Sequence, residues 1–211
     1  RTVMLRSWIG PIVIAAAGVF GFGLASAQAA TISGTYSGHV TSLDPQMAGQ
    51  FAPGDPFTVD FTYITDFATD SVPANPNLGI YPEVFTSITG TIGGYNFALA
   101  TGGPIDSVRV DNDSLGRDLL IFNADVAGSP VNGFVPYGLE VFLQDDTHSL
   151  FSGDALPQTF LPAALFTSGS MEFDLVGGTE DAPVFSFVRA TIDIPAPAPI
   201  PPSIGLFVSS L

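Results

Sequence analysis

Cysteine and lysine are both absent from this 211-residue chain, and histidine occurs only twice. Without cysteine there is no disulfide framework, so the fold has to be stabilised by its own apolar core. Nucleophilic catalysis also lacks its usual groups, because there is no thiol, no amine and no Gly-x-Ser-x-Gly elbow. Positive charge is equally scarce: the five basic residues are Arg1, Arg6, Arg109, Arg117 and Arg189. All 20 Asp and Glu lie beyond residue 29 and face three arginines there, a formal charge of −17. Binding a phosphate backbone requires cationic side chains that release counterions, so nucleic-acid functions are excluded. No amphipathic helical period of ordinary length occurs, and only Thr147 to Leu165 offers short helical turns.

What is present in quantity is apolar and aromatic material, 46% hydrophobic residues with 18 Phe. Glycine and proline number 23 and 18, too few to argue for disorder and enough for many turns. The periodicity is two. Phe57, Val59, Phe61 and Tyr63 alternate with Thr58, Asp60 and Thr62, which gives a strand with one buried and one wet face. Gly93-Gly94 supplies the positive φ that a two-residue hairpin turn requires. That turn sets Ile92 opposite Tyr95, Gly90 opposite Phe97 and Ile88 opposite Leu99, with all the large apolar residues on one face. Further strands are expected over 32–40, 107–111, 119–124, 138–144, 170–176 and 184–194. Leu119 to Phe122 is apolar in both phases, the pattern of two-sided burial. Phe185 and Phe187 fall out of phase with Val188, Ala190 and Ile192, so a bulge or two-sided burial is expected there. Nine strands with this spacing predict an all-β fold over residues 30–193, an antiparallel sandwich of jelly-roll type.

The two ends carry addresses. Arg1 and Arg6 precede an uncharged, mostly apolar stretch from Trp8 to Leu24, followed by Ala25-Ser26-Ala27-Gln28-Ala29. A basic n-region, an apolar h-region and small-x-small cleavage sites at Ala25, Ala27 and Ala29 read as a secretory signal peptide over 1–29. The stretch is also long enough to anchor uncleaved, but its glycines, Pro11 and two overlapping alanine sites favour removal. At the other end, Ile194-Pro195-Ala196-Pro197-Ala198-Pro199 leads into apolar residues from Ile200 to Leu211. Proline removes backbone donors and fixes φ, so this run is an extended spacer rather than a longer strand.

In that order, Ile194, Pro195, Ala196, Pro197 and Ala198 resemble the sorting motif of the PEP-CTERM proteins, in the variant that reads Val-Pro-x-Pro-Ala. The resemblance implies recognition by an exosortase and delivery to the bacterial envelope, cell surface or an extracellular polysaccharide matrix, with the membrane touched only transiently. A full signal of this kind continues through a membrane helix into a basic cluster. Here Pro201 and Pro202 interrupt the apolar stretch and no Arg follows Arg189, so the reading frame is expected to continue past Leu211. The segments Gly54 to Tyr63 and Gly169 to Leu175 resemble strands of the exported domains that precede such signals. That resemblance implies a location and no catalytic residues.

Within the domain, Asp111, Asp113 and Asp118 cluster around Asn112 between two expected strands, and oxygen-rich turns suit calcium. The segment is not an EF-hand loop, because Leu115 and Phe122 occupy ligand positions, and Arg117 offsets part of the charge. His39 ends a strand, while His148 follows Asp145-Asp146, the setting of a loop ion pair. The sequence therefore predicts a non-enzymatic exported surface or matrix protein without a resident cofactor. The alternative is a secreted carbohydrate-binding module with calcium held by Asp111, Asp113 and Asp118.

Overall fold

The computed structural model describes residues 30–196, apart from residues 67, 104, 180 and 181. Ten strands form in chain order: β1 (Thr31–Leu43), β2 (Pro56–Ile64), β3 (Leu78–Pro82), β4 (Phe85–Ile92), β5 (Tyr95–Leu99), β6 (Ser107–Asp111), β7 (Asp118–Gly128), β8 (Val135–Asp145), β9 (Ser168–Thr179) and β10 (Ala182–Ile192). Short 3₁₀ turns occur at Pro45–Met47 and Ala163–Leu165, the second within the region where helical turns are expected. Every strand pairing is antiparallel.

The sheet does not divide into two layers. Following the pairings, β1, β2, β4, β5, β7, β8, β9 and β10 succeed one another, and β10 returns to β1, closing an eight-stranded barrel. With β3 and β6 set aside, this is an up-and-down meander. Those two strands form an excursion that pairs onto β7 next to β5. The jelly-roll sandwich expected from the sequence is thus corrected to a closed barrel. An inward–outward alternation of period two is common to both architectures, and closure depends on pairing between the first and last strands.

Alternation fixes what lies inside. Tyr36 and Val40 of β1, all four large residues of β2, Ile88 and Ile92 of β4, Phe97 of β5, Leu120 and Phe122 of β7, and Met171, Phe173 and Leu175 of β9 are buried. The outer face of β1 and β2 is Ser, Thr and Asp, with Ser33 bonded to Thr62 and Thr35 to Asp60 across the ladder. A barrel that crosses a bilayer puts its apolar residues outward; this one has the reverse polarity. The hairpin at Gly93-Gly94 has the expected register, Ile92 opposite Tyr95 and Gly90 opposite Phe97, with φ of 54° and 86° at the two glycines. Leu119 to Phe122 is buried in both phases.

The closing seam depends on a missing side chain. A Cβ on Gly38 would lie 1.9 Å from the Thr191 carbonyl oxygen and 2.7 Å from the Phe57 ring, so β1 and β10 can pair only with glycine there. Gly38→Ala is expected to destabilise the barrel by about 1–3 kcal/mol or more, because backbone rather than a flexible side chain must move. A urea midpoint equal to that of the parent chain would show that the seam tolerates the methyl group.

Candidate functional site

Eight-stranded barrels that bind small molecules do so in the lumen, so the lumen is the first place where chemistry would be housed. Here it is filled by side chains. Phe61 lies 4.7 Å from Phe122 and 5.4 Å from Tyr36, centroid to centroid, and Phe97 lies 4.9 Å from Phe173. Both ends are covered. At one, Met47 and Phe51 are buried, with Phe51 edge-on to Tyr95 and Phe173, and Tyr95 donates to the Ser129 carbonyl at 2.6 Å. At the other, residues 146–167 lie across the opening. Tyr36, Tyr63 and Tyr81 donate their hydroxyls to the carbonyls of Leu161, Pro157 and Asp154 at 2.8, 3.0 and 3.0 Å. Burial pushes the Tyr36 and Tyr63 hydroxyls far above the ordinary tyrosine range, so they remain neutral donors.

The acidic turn and the second histidine meet at this covered end. Asp118 and Asp145 face each other at the ladder position where β7 begins and β8 ends, and both are buried. Asp118 accepts from the Leu150 and Phe151 amides at 2.9 and 2.8 Å, from the Asp113 amide at 3.2 Å and from His148 Nδ1 at 2.9 Å. Asp145 accepts from the Thr147 amide and hydroxyl at 2.9 and 2.7 Å and from the Ser149 amide at 3.1 Å. The other His148 nitrogen, Nε2, lies 3.2 Å from Asp113. Carboxylates on both sides suit an imidazolium donating from both nitrogens, and neither nitrogen is left to accept a proton from a substrate. His148 sits at φ 55° and Asp113 at φ 65°, left-handed conformations held by these bonds. The arrangement is a clasp that fastens 146–151 to the barrel.

The three acids singled out in the sequence are separated by their partners. Asp111 takes a two-pronged bond from Arg109, Asp118 is consumed by the clasp, and Asp113 is half-exposed beside His148. Among the described residues no group of three His, Asp or Glu is arranged to hold a metal ion. Arg117 reaches Gln144 at 3.0 Å. His39 pairs with Asp193 at 3.1 Å on the surface. Ile194 packs against the core, and Pro195 and Ala196 follow it exposed. Pro197 and Ala198 of the motif, and the cleavage alanines Ala25, Ala27 and Ala29, lie outside the described residues. Sequence reading missed the tyrosine anchors and took Asp145 only as one half of an acidic pair, not as a buried acceptor. A signal for the latter existed in the chain, since Asp145-x-Thr147-x-Ser149 is a run that bonds its own backbone.

The clasp has a pH window. For Asp118, burial alone would raise the carboxyl, but the bonds from Phe151, His148, Asp113 and Leu150 outweigh it and hold it below the usual range; Asp145 behaves alike through Thr147 and Ser149. The hydrogen bond to Asp118 raises His148, against a smaller opposing effect of desolvation. Carboxylates with depressed folded values stabilise above about pH 4 and lose that contribution as pH falls through them. A raised histidine stabilises fully below about pH 6.5 and loses its contribution as pH rises through its folded value. The clasp should therefore be firmest between those limits. His148→Gln should remove the alkaline decline in melting temperature and leave the acid one; a parent profile flat from pH 5 to 9 would contradict the assignment. No family model, curated protein or solved structure matches this chain.

Proposed function

We propose that the chain is an exported, non-enzymatic cell-surface or extracellular-matrix protein of a bacterium, addressed by its termini and sorted through an exosortase by Ile194 to Ala198. The observation that carries this reading is the junction at the end of β10. Asp193 still donates its amide to the Ser37 carbonyl at 2.9 Å and Ile194 packs on the core, but Pro195 and Ala196 are exposed. A motif that begins at the last core-packed residue and runs on into exposed chain at Pro195 and Ala196 is accessible to a membrane enzyme without unfolding the barrel. The packed lumen and the doubly engaged His148 support a cargo role over a catalytic one. The outward Ser, Thr and Asp and the scarcity of basic residues, three arginines against 20 acids beyond residue 29, suit a hydrated matrix better than adsorption to an anionic membrane. Reading the gene beyond the Leu211 codon tests this: further apolar codons ending in an arginine cluster are expected, and a stop codon directly after Leu211 would remove the main support.

A further inference from the structure

The outer face of β8, β9 and β10 differs from the hydroxyl-rich face of β1 and β2. Phe185 and Phe187 do not bulge or turn inward as their phase suggests. β10 pairs with β9 in unbroken register from Ala182 to Thr191, so both rings fall on the outside, with Phe185 60% exposed. Tyr137 joins them from the β8 bulge, 46% exposed and 6.0 Å from Phe185, edge to face. Three rows run across the strands. Glu140, Glu172 and Arg189 form one, Gly138, Asp174 and Phe187 the next, and Val135, Val176 and Phe185 the third. The only cation in these rows is Arg189, bonded to Glu172 at 2.5 Å with its guanidinium 4.0 Å above the Phe187 ring. Within the rows one guanidinium answers three carboxylates, with Arg109 of β6 acting on Glu140 as a further nearby charge, and Arg189 already displays on Phe187 the cation–π contact that the remaining rings offer.

We propose that this face docks a cation-bearing extended polypeptide segment of another protein, its lysines or arginines set between Glu140, Glu172 and Asp174 and over Phe185 and Tyr137. Charge complementarity selects that occupant. A second copy of this chain brings three arginines and 20 acids beyond its first 29 residues, and repels. A neutral glycan would stack on the rings but leave the carboxylate charge unanswered. Burial, then Glu172 and Glu140, push the Asp174 carboxyl up to about 6 against the lowering effect of Arg189, so this carboxyl adds its negative charge to the face as pH rises through that value. Binding should strengthen as pH rises through 6. The inference stands apart from the export address, since neither terminus takes part.

The test uses the full chain and a ten-residue lysine peptide, measured by isothermal titration at low salt. Binding should weaken by about tenfold in E172Q/D174N and by about threefold in Phe185→Ala, and the parent should bind more tightly at pH 7.5 than at pH 5. A charge-matched variant at distant exposed carboxylates, D60N/D193N, should bind as the parent does. Equal losses in the two double variants would show adsorption to a generally acidic surface and overturn the proposal. So would binding of a neutral glucan hexamer, or of calcium at Glu172 and Asp174, in place of the peptide. Phe185 is mostly exposed, so its variant tests the face even if a carboxylate variant folds poorly.

Discussion

Phe122→Ala should cost about 3–5 kcal/mol of folding stability, measured by urea denaturation, with Phe122→Leu losing less. Phe122 is an inward residue of β7, which pairs with β5 and β6 along one edge and with β8 along the other, and four rings converge on it. Phe61 lies at 4.7 Å, Phe85 at 5.6 Å, Tyr36 at 6.0 Å and Tyr63 at 6.2 Å. Truncation removes the transfer free energy of the ring and leaves a cavity in the part of the lumen where β1, β2, β4 and β7 meet. Two of those neighbours, Tyr36 and Tyr63, are anchored through their hydroxyls to the Leu161 and Pro157 carbonyls, so collapse into the space is limited. A loss below about 1 kcal/mol would mean that the lumen is loosely packed, and with it the argument against a lumenal ligand would fail.

Asp118→Ala should be of similar size, about 3–5 kcal/mol, for a different reason. Removing this buried acceptor strands the amides of Leu150, Phe151 and Asp113 and leaves His148 beside Asp113 alone. Asp118→Asn keeps one oxygen acceptor and should recover part of the loss, while its amide hydrogens confront donors. Hydrogen exchange separates the local consequence from the global one. Leu150 and Phe151 amides should lose protection in Asp118→Asn under conditions in which β1 and β2 amides remain protected. Unchanged exchange at those two amides would show that the clasp does not hold the segment.

The hairpin was legible because its turn glycines and its alternation fix the same register independently, and β6 was legible from its flanking turns. β3 escaped notice: Leu78-Gly79-Ile80-Tyr81-Pro82 sits among prolines and asparagines and is held partly by Asp70, which accepts the Ile80 amide at 3.0 Å. Closure was illegible because it rests on β1 meeting β10, about 150 residues apart, and on Gly38 leaving room for Thr191. The phase break at Phe185 and Phe187 was visible, but its cause was not. The bulge lies in β1 at Thr41, between Val40 and Ser42, and β10 runs straight with two aromatic residues on its wet face. The acids around Asn112 were found as a cluster, yet composition could not assign Asp111 to Arg109 and Asp118 to His148. Which carboxylates are buried follows from the ladder position opposite Asp145, a contact between distant segments.

On the function proposed above, the ends of this chain, and no reaction centre in the barrel, define its task. Expressing the natural gene, read to its own stop codon, in its exosortase-bearing host and in an exosortase deletion strain tests this most directly. Surface and membrane fractions would be compared by intact mass. The expected result is surface material beginning near Ala30 in the first strain, and retention in the membrane fraction in the second. Identical masses and identical distribution in the two strains would contradict it.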